Sequence, residues 1–147
     1  MTEHLVLGNT YKFKLRAQNI HGWSVDSDIL TVMHSFVTVK PNPPTIIMEN
    51  LFVKIAWVEP SDLRAAAVTA YRIKIKDSTG VYREDTVNCN GATDQVRQQR
   101  YCLVHMTRLR ADPYLLNYAN LIQAKVQALN VNGWSEDSDP NSVGATI

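Results

Sequence analysis

The chain has 147 residues, 45% of them hydrophobic and 20% charged, with a formal net charge of +1. That balance fits a globular chain and argues against a dedicated nucleic-acid binder, which carries a basic excess or stripe. No stretch approaches the ~20 consecutive apolar residues of a membrane-spanning helix, and "MTEHLVLGNTYKF" lacks the basic region and unbroken apolar run of a secretory leader. At about 150 residues per domain, the length allows one domain of ordinary size.

In chain order, the first element is "YKFKLRAQN" (11–19), a strand by alternation. Tyr11, Phe13, Leu15 and Ala17 share one face, and Lys12, Lys14, Arg16 and Gln18 the other. It runs into an Asn-x-x-Gly turn, where Gly22 can take the positive φ that hairpin turns require. The octapeptide "HGWSVDSD" follows at 21–28. "PNPP" at 41–44 is a stiff, extended boundary, since proline donates no ladder hydrogen bond. "LFVKIAWVEP" then alternates, with Val53, Ile55 and Trp57 inward, and ends at Pro60. "AYRIKIKD" places Tyr71, Ile73 and Ile75 inward and Arg72, Lys74 and Lys76 outward. "STG" turns the chain at 78–80, and "VYREDTV" is a short, charged edge strand. "YCLVHMTRL" (101–109) is a further strand. Only "AAAV" (65–68) and "DPYLLNYANL" (112–121) offer short helical segments. "IQAKVQALN" (122–130) is the last strand, with Ile122, Ala124, Val126 and Ala128 on one face. It leads to "NGWSEDSD" at 132–139.

The two octapeptides are near-duplicates that share Gly22/Gly133, Trp23/Trp134, Ser24/Ser135, Asp26/Asp137, Ser27/Ser138 and Asp28/Asp139. The preceding strands keep Lys14/Lys125, Ala17/Ala128 and Asn19/Asn130 in the same register. The copies lie one small-domain length apart, so each is the final hairpin of a β domain. Turns fall about every ten residues, which favours an all-β sandwich.

In order and spacing, these residues resemble the fibronectin type III domain. The pattern comprises a Pro-rich start, the strand Val53, Ile55, Trp57 closed by Pro60, and Tyr71-x-Ile73. Leu109 then stands before the penultimate strand, and Val126, Ala128, Asn130, Gly133 and Ser135 close the domain. The resemblance implies an immunoglobulin-like β-sandwich. A complete domain covers 45–147, a Pro-rich linker 40–44, and residues 1–39 match only the final hairpin of a truncated preceding domain. It implies a core built on Trp57, Tyr71, Ile73, Leu109 and Val126, and a closing turn built on Gly22, Trp23 and Ser24 and on Gly133, Trp134 and Ser135. Where the family usually has Tyr at the start of the penultimate strand, the first copy has Tyr11. The second has Ile122, with Tyr114 or Tyr118 of the insertion "RADPYLLNYAN" available to replace it.

Cys89 and Cys102 are the only cysteines. They fit neither a four-ligand zinc site nor a C-x-x-C redox pair. A local disulfide and two unrelated buried thiols remain, and the polar segment between them favours the disulfide, which would place the protein in an oxidising compartment. The pair is absent from ordinary members of the family. Very long, repeat-containing surface proteins of single-celled eukaryotes are similar in placing a Cys pair before a Pro-Tyr insertion.

"WSEDS" resembles the Trp-Ser-x-Trp-Ser box of cytokine receptors, but Asp137 stands where the second Trp would be. Its expected neighbours are cations: Lys12, Lys14 and Arg16 near Trp23, and Lys125 near Trp134. Asp26/Asp28 and Glu136/Asp137/Asp139 offer oxygen ligands for Ca²⁺, although the Gly spacing of an EF-hand loop is lacking. A solvated turn is the simpler reading. Arg110-Ala111-Asp112 resembles the Arg-Gly-Asp tripeptide, but Ala111 removes the flexible position. His4, His21, His34 and His105 are scattered, with no nucleophile motif beside them. No catalytic residue, cofactor or metal is therefore expected. The expected role is a protein-binding or spacing repeat of a larger cell-surface or extracellular protein, whose partners are other proteins and neighbouring repeats. An intracellular cytoskeletal scaffold and a receptor ectodomain are the alternatives.

Overall fold

The computed structural model describes residues 4–147. The first strands form two short antiparallel pairs. β1 (Thr10–Phe13) pairs with β4 (Leu30–Met33), and β2 (Gln18–Asn19) with β3 (Gly22–Trp23). The alternating segment 11–19 is thus two strands with a gap, because the side chains of Ser24 and Ser27 replace backbone partners opposite it.

Two facing sheets follow. One is three-stranded, in the order β5 (Thr45–Glu49), β6 (Phe52–Ala56) and β9 (Tyr101–His105). The other runs β11 (Gly133–Trp134), β10 (Ala124–Asn130), β7 (Ala70–Lys76) and β8 (Tyr82–Glu84). All neighbours are antiparallel. The architecture is an all-β sandwich.

Alternation decides what lies between the sheets. In β7 and β10 every second residue is buried, with Ile73, Ile75, Ala124, Val126 and Ala128 excluded from solvent. Val53, Ile55 and Trp57 face them from the other sheet. Burying each large apolar side chain stabilises the fold by about 1.5–3 kcal/mol relative to exposure. Trp57 and Tyr71 pack with ring centroids 5.4 Å apart. Burial pushes the Tyr71 phenol up to about 12.

The helices lie elsewhere than the sequence predicts. Neither 65–68 nor 112–121 is helical. Arg64, Ala65, Leu115 and Ala119 have φ of 51°, 62°, 50° and 66°, which no right-handed helix accommodates. Instead, α1 (Asp94–Gln99) forms inside the cysteine-bracketed segment, where Val96 N–H donates to the Thr93 hydroxyl. The strand predicted over 101–109 stops at His105, which caps α2 (Met106–Arg110) by accepting from Thr107 N–H. Leu109 is therefore a helical residue, but its side chain is fully buried.

Candidate functional site

The two octapeptides close their strands through the same atoms. In the second copy, Ser135 N–H donates to Ala128 C=O (2.8 Å), while Ala128 N–H donates to Ser135 Oγ (3.0 Å). Ser138 repeats this on Val126, at 2.9 and 3.0 Å. At a third rung, Ala124 N–H donates to Asn141 Oδ1. Residues three apart on one segment thus serve residues two apart on β10. Each serine hydroxyl in turn donates a hydrogen bond to the next residue's carbonyl, Glu136 or Asp139. In the first copy, Ser24 and Ser27 form the same rungs on Ala17 and Leu15. Gly22 and Gly133 have φ of 127° and 128°, the positive region that the turn demands.

The outward face of each closing segment carries a charge ladder. In the first copy, Arg16 lies 5.6 Å from the Trp23 ring, and Asp26 binds both Lys14 and Arg16. In the second, the partner of Trp134 is not Lys125 but Arg72, 4.1 Å from the ring. Arg72 is long enough to reach across Gln127 of the intervening strand, to which it also donates. Lys125 instead covers Tyr82 at 4.6 Å, and Lys74 binds Asp137 at 2.8 Å. The acidic residues considered for calcium are therefore largely engaged by cations. Asp139 pairs with Lys40 at 2.8 Å; their mutual hydrogen bond holds the carboxyl below, and the ammonium above, its ordinary value.

The segment between β4 and β5 is held from two parts of the chain. Phe36 N–H donates to Arg64 C=O and Val39 N–H to Asp62 C=O. Opposite, Asn130 Nδ2 donates to Phe36 C=O at 2.7 Å, and Asn132 Nδ2 donates to Ser35 Oγ at 2.9 Å.

Cys89 and Cys102 are joined by a disulfide with Cα atoms 5.1 Å apart. Both sit in the core. The disulfide is the pairing that the polar intervening segment favoured, and of that segment Gly91 and Val96 are buried with the cysteines. Of the two candidate tyrosines, Tyr114 is 1% exposed and Tyr118 88% exposed. Tyr114 thus fills the core, where burial and the neighbouring Asp85 carboxylate push its phenol well above the ordinary value. In the first copy, the Tyr11 hydroxyl accepts from Val6 N–H at 2.6 Å.

Sequence reasoning missed Asp77, a buried carboxylate at the β7–β8 turn. It accepts from Thr79 N–H, the Thr79 hydroxyl and Val81 N–H, and pairs with Arg83 at 2.6 Å. The Thr79 hydroxyl and these further donors hold it well below the usual carboxylate range. An Asp three residues before Gly80 and two before Thr79 was the available signal, since Asx side chains fold back on their own turns.

The four histidines do not converge. His105 caps a helix and His34 packs on Phe36. Among the described residues there is no helix long and apolar enough to cross a membrane.

Comparison with solved structures defines the fold. Over 90% of this chain, it superposes on a crystal structure of titin domains with a TM-score of 0.54 and 18% identity. Rat CD45 extracellular domains d3-d4 give 0.54 and 14% over 97% of the chain, and chicken CNTN1 domains FN1-FN3 give 0.54 and 16% over 97%. The chain spans 38%, 68% and 46% of those three chains, respectively. The sandwich is fibronectin type III-like. No protein-family profile matches the chain, and no curated protein does.

Proposed function

We propose that this chain is a non-catalytic repeat module of a larger cell-surface or extracellular protein, in which it spaces, links or binds other proteins. In this reading residues 45–147 are one complete domain, 40–44 a linker, and 1–39 the closing hairpin of a preceding domain. The observation that carries it is the pair of closing turns with the same rungs, one on a finished sandwich and one without. Phe13 and Leu15 are 50% and 74% exposed, whereas their counterparts Ala124 and Val126 are fully buried. A face of that composition belongs under a second sheet, because a lone hairpin is marginal in water.

The Cys89–Cys102 disulfide supports the oxidising compartment. For partner binding, the loops at the sandwich ends are better placed than the edge strand β8. That strand has only three residues, and Arg83 and Glu84 are already paired with Asp77 and Arg72. The test is alkylation of unreduced protein from its native source, read by mass. No label before reduction and two after supports the surface reading. Two labelled thiols without reduction would overturn it in favour of an intracellular scaffold.

A further inference from the structure

The two Asn-x-x-Gly turns share their asparagine and glycine but differ in what the asparagine amide holds. At the second, Asn130 Oδ1 accepts from Asn132 N–H at 2.9 Å and so builds the turn, which leaves Nδ2 facing outward. That amide grips the Phe36 carbonyl at 2.7 Å, and Asn130 is only 3% exposed. At the first turn, Asn19 Oδ1 accepts from His21 N–H at 2.8 Å, which is the same construction. Asn19 is exposed and its Nδ2 donates to no group among the described residues. Beside it lies a cleft of about 310 Å³ lined by Gln18, Asn19, His21, Gly22 and Trp23.

We propose that the Asn19 turn is a docking seat for the segment of another repeat of this kind that corresponds to residues 33–40, gripped at a backbone carbonyl as Asn130 grips Phe36. This rests on the tandem-repeat reading above. The occupant is inferred from within the molecule: the filled seat holds Phe36 through Asn130 and Ser35 through Asn132, in the segment between β4 and β5. The Asn130 contact is the one that Asn19 can repeat, since His21 stands where the second turn has Asn132. The chemistry favours asparagine at both positions. Its oxygen is spent on the turn and its amide is left for the docked segment. Aspartate would keep the turn but set an acceptor against a carbonyl.

That contrast supplies the experiment. Isotope-labelled full chain is titrated with a synthetic peptide of residues 33–40 to millimolar concentration and followed by NMR. Saturable shifts are expected at the Asn19 side-chain amide, His21 and Gly22. They should be lost in Asn19→Asp and retained in Asn130→Asp, whose own seat is already filled in cis. No shift at the Asn19 turn, or shifts undiminished in Asn19→Asp, would overturn the proposal. In the same samples, Asn130→Asp should speed hydrogen exchange at Phe36 and Val39 by roughly three- to tenfold, the equivalent of one lost hydrogen bond. Unchanged exchange there would remove the precedent and the proposal with it. A failed titration leaves the thiol measurement untouched, so loss of the seat and loss of the surface reading are told apart.

Discussion

Ser135 and Ser138 each do the work of a strand residue with a side-chain oxygen, and their removal has a definite cost. Ser135→Ala leaves the buried Ala128 N–H without an acceptor, and Ser138→Ala does the same to Val126. An unsatisfied buried donor costs about 1–3 kcal/mol, which is the loss expected for each variant in urea unfolding. Ser24→Ala should cost less, because its rung is exposed to water. Asp77 makes a prediction in pH. Its folded carboxyl is held below the ordinary value of about 3.9, so its contribution to stability is complete above that value. The contribution disappears as pH falls from there through the depressed folded value. Asp77→Asn should therefore be less stable than wild type at neutral pH and show a flatter acid limb, measured as the urea midpoint between pH 7 and pH 2. A parallel pair of acid limbs would show that the carboxylate is not what titrates.

At the level of elements, the insertion and the disulfide replace what the core lacks. Tyr114 lies fully inside and Tyr118 outside. Tyr114→Ala should then cost about 3–5 kcal/mol, as a large aromatic truncation does, while Tyr118→Ala should stay within about 0.5 kcal/mol. Thermal unfolding of the two variants separates them directly. Strands were the legible elements, because Val53, Ile55, Tyr71, Ile73 and Val126 alternate with polar residues, and one buried face imposes that period. The closing rungs were legible only as a repeated word. Nothing in Ser-x-x-Ser announces that its hydroxyls accept from a neighbouring strand. α1 was hidden because six residues bury only Val96, which is too little for a helical period to show. α2 was hidden for the opposite reason. Cys102, Val104 and Met106 extend the alternation of β9 to the point where His105 caps the helix. Arg72 was missed as the partner of Trp134 because a cross-strand contact over an intervening residue leaves no local spacing to read.

Across the whole molecule, the hydrophobic cluster begins at Ile46, and among the described residues the earliest buried side chain is Thr38, followed by Pro41 and Pro44. A chain starting at His34 keeps every core residue and the grip of Asn130 on Phe36. Its stability should lie within about 1 kcal/mol of the full chain, and it should bind less of a dye specific for exposed apolar surface. A large loss of stability on truncation would mean that the hairpin supports the sandwich, contrary to its exposure.

The three-residue period of the closing segment has a consequence for crowding. In a chain of similar repeats, neighbouring sheets meet at high local concentration, and a regular outer strand would template pairing between them. From Ser135 to Asn141 the backbone and side chains both turn toward β10. That edge of the sheet therefore offers a visiting strand no continuous row of donors and acceptors.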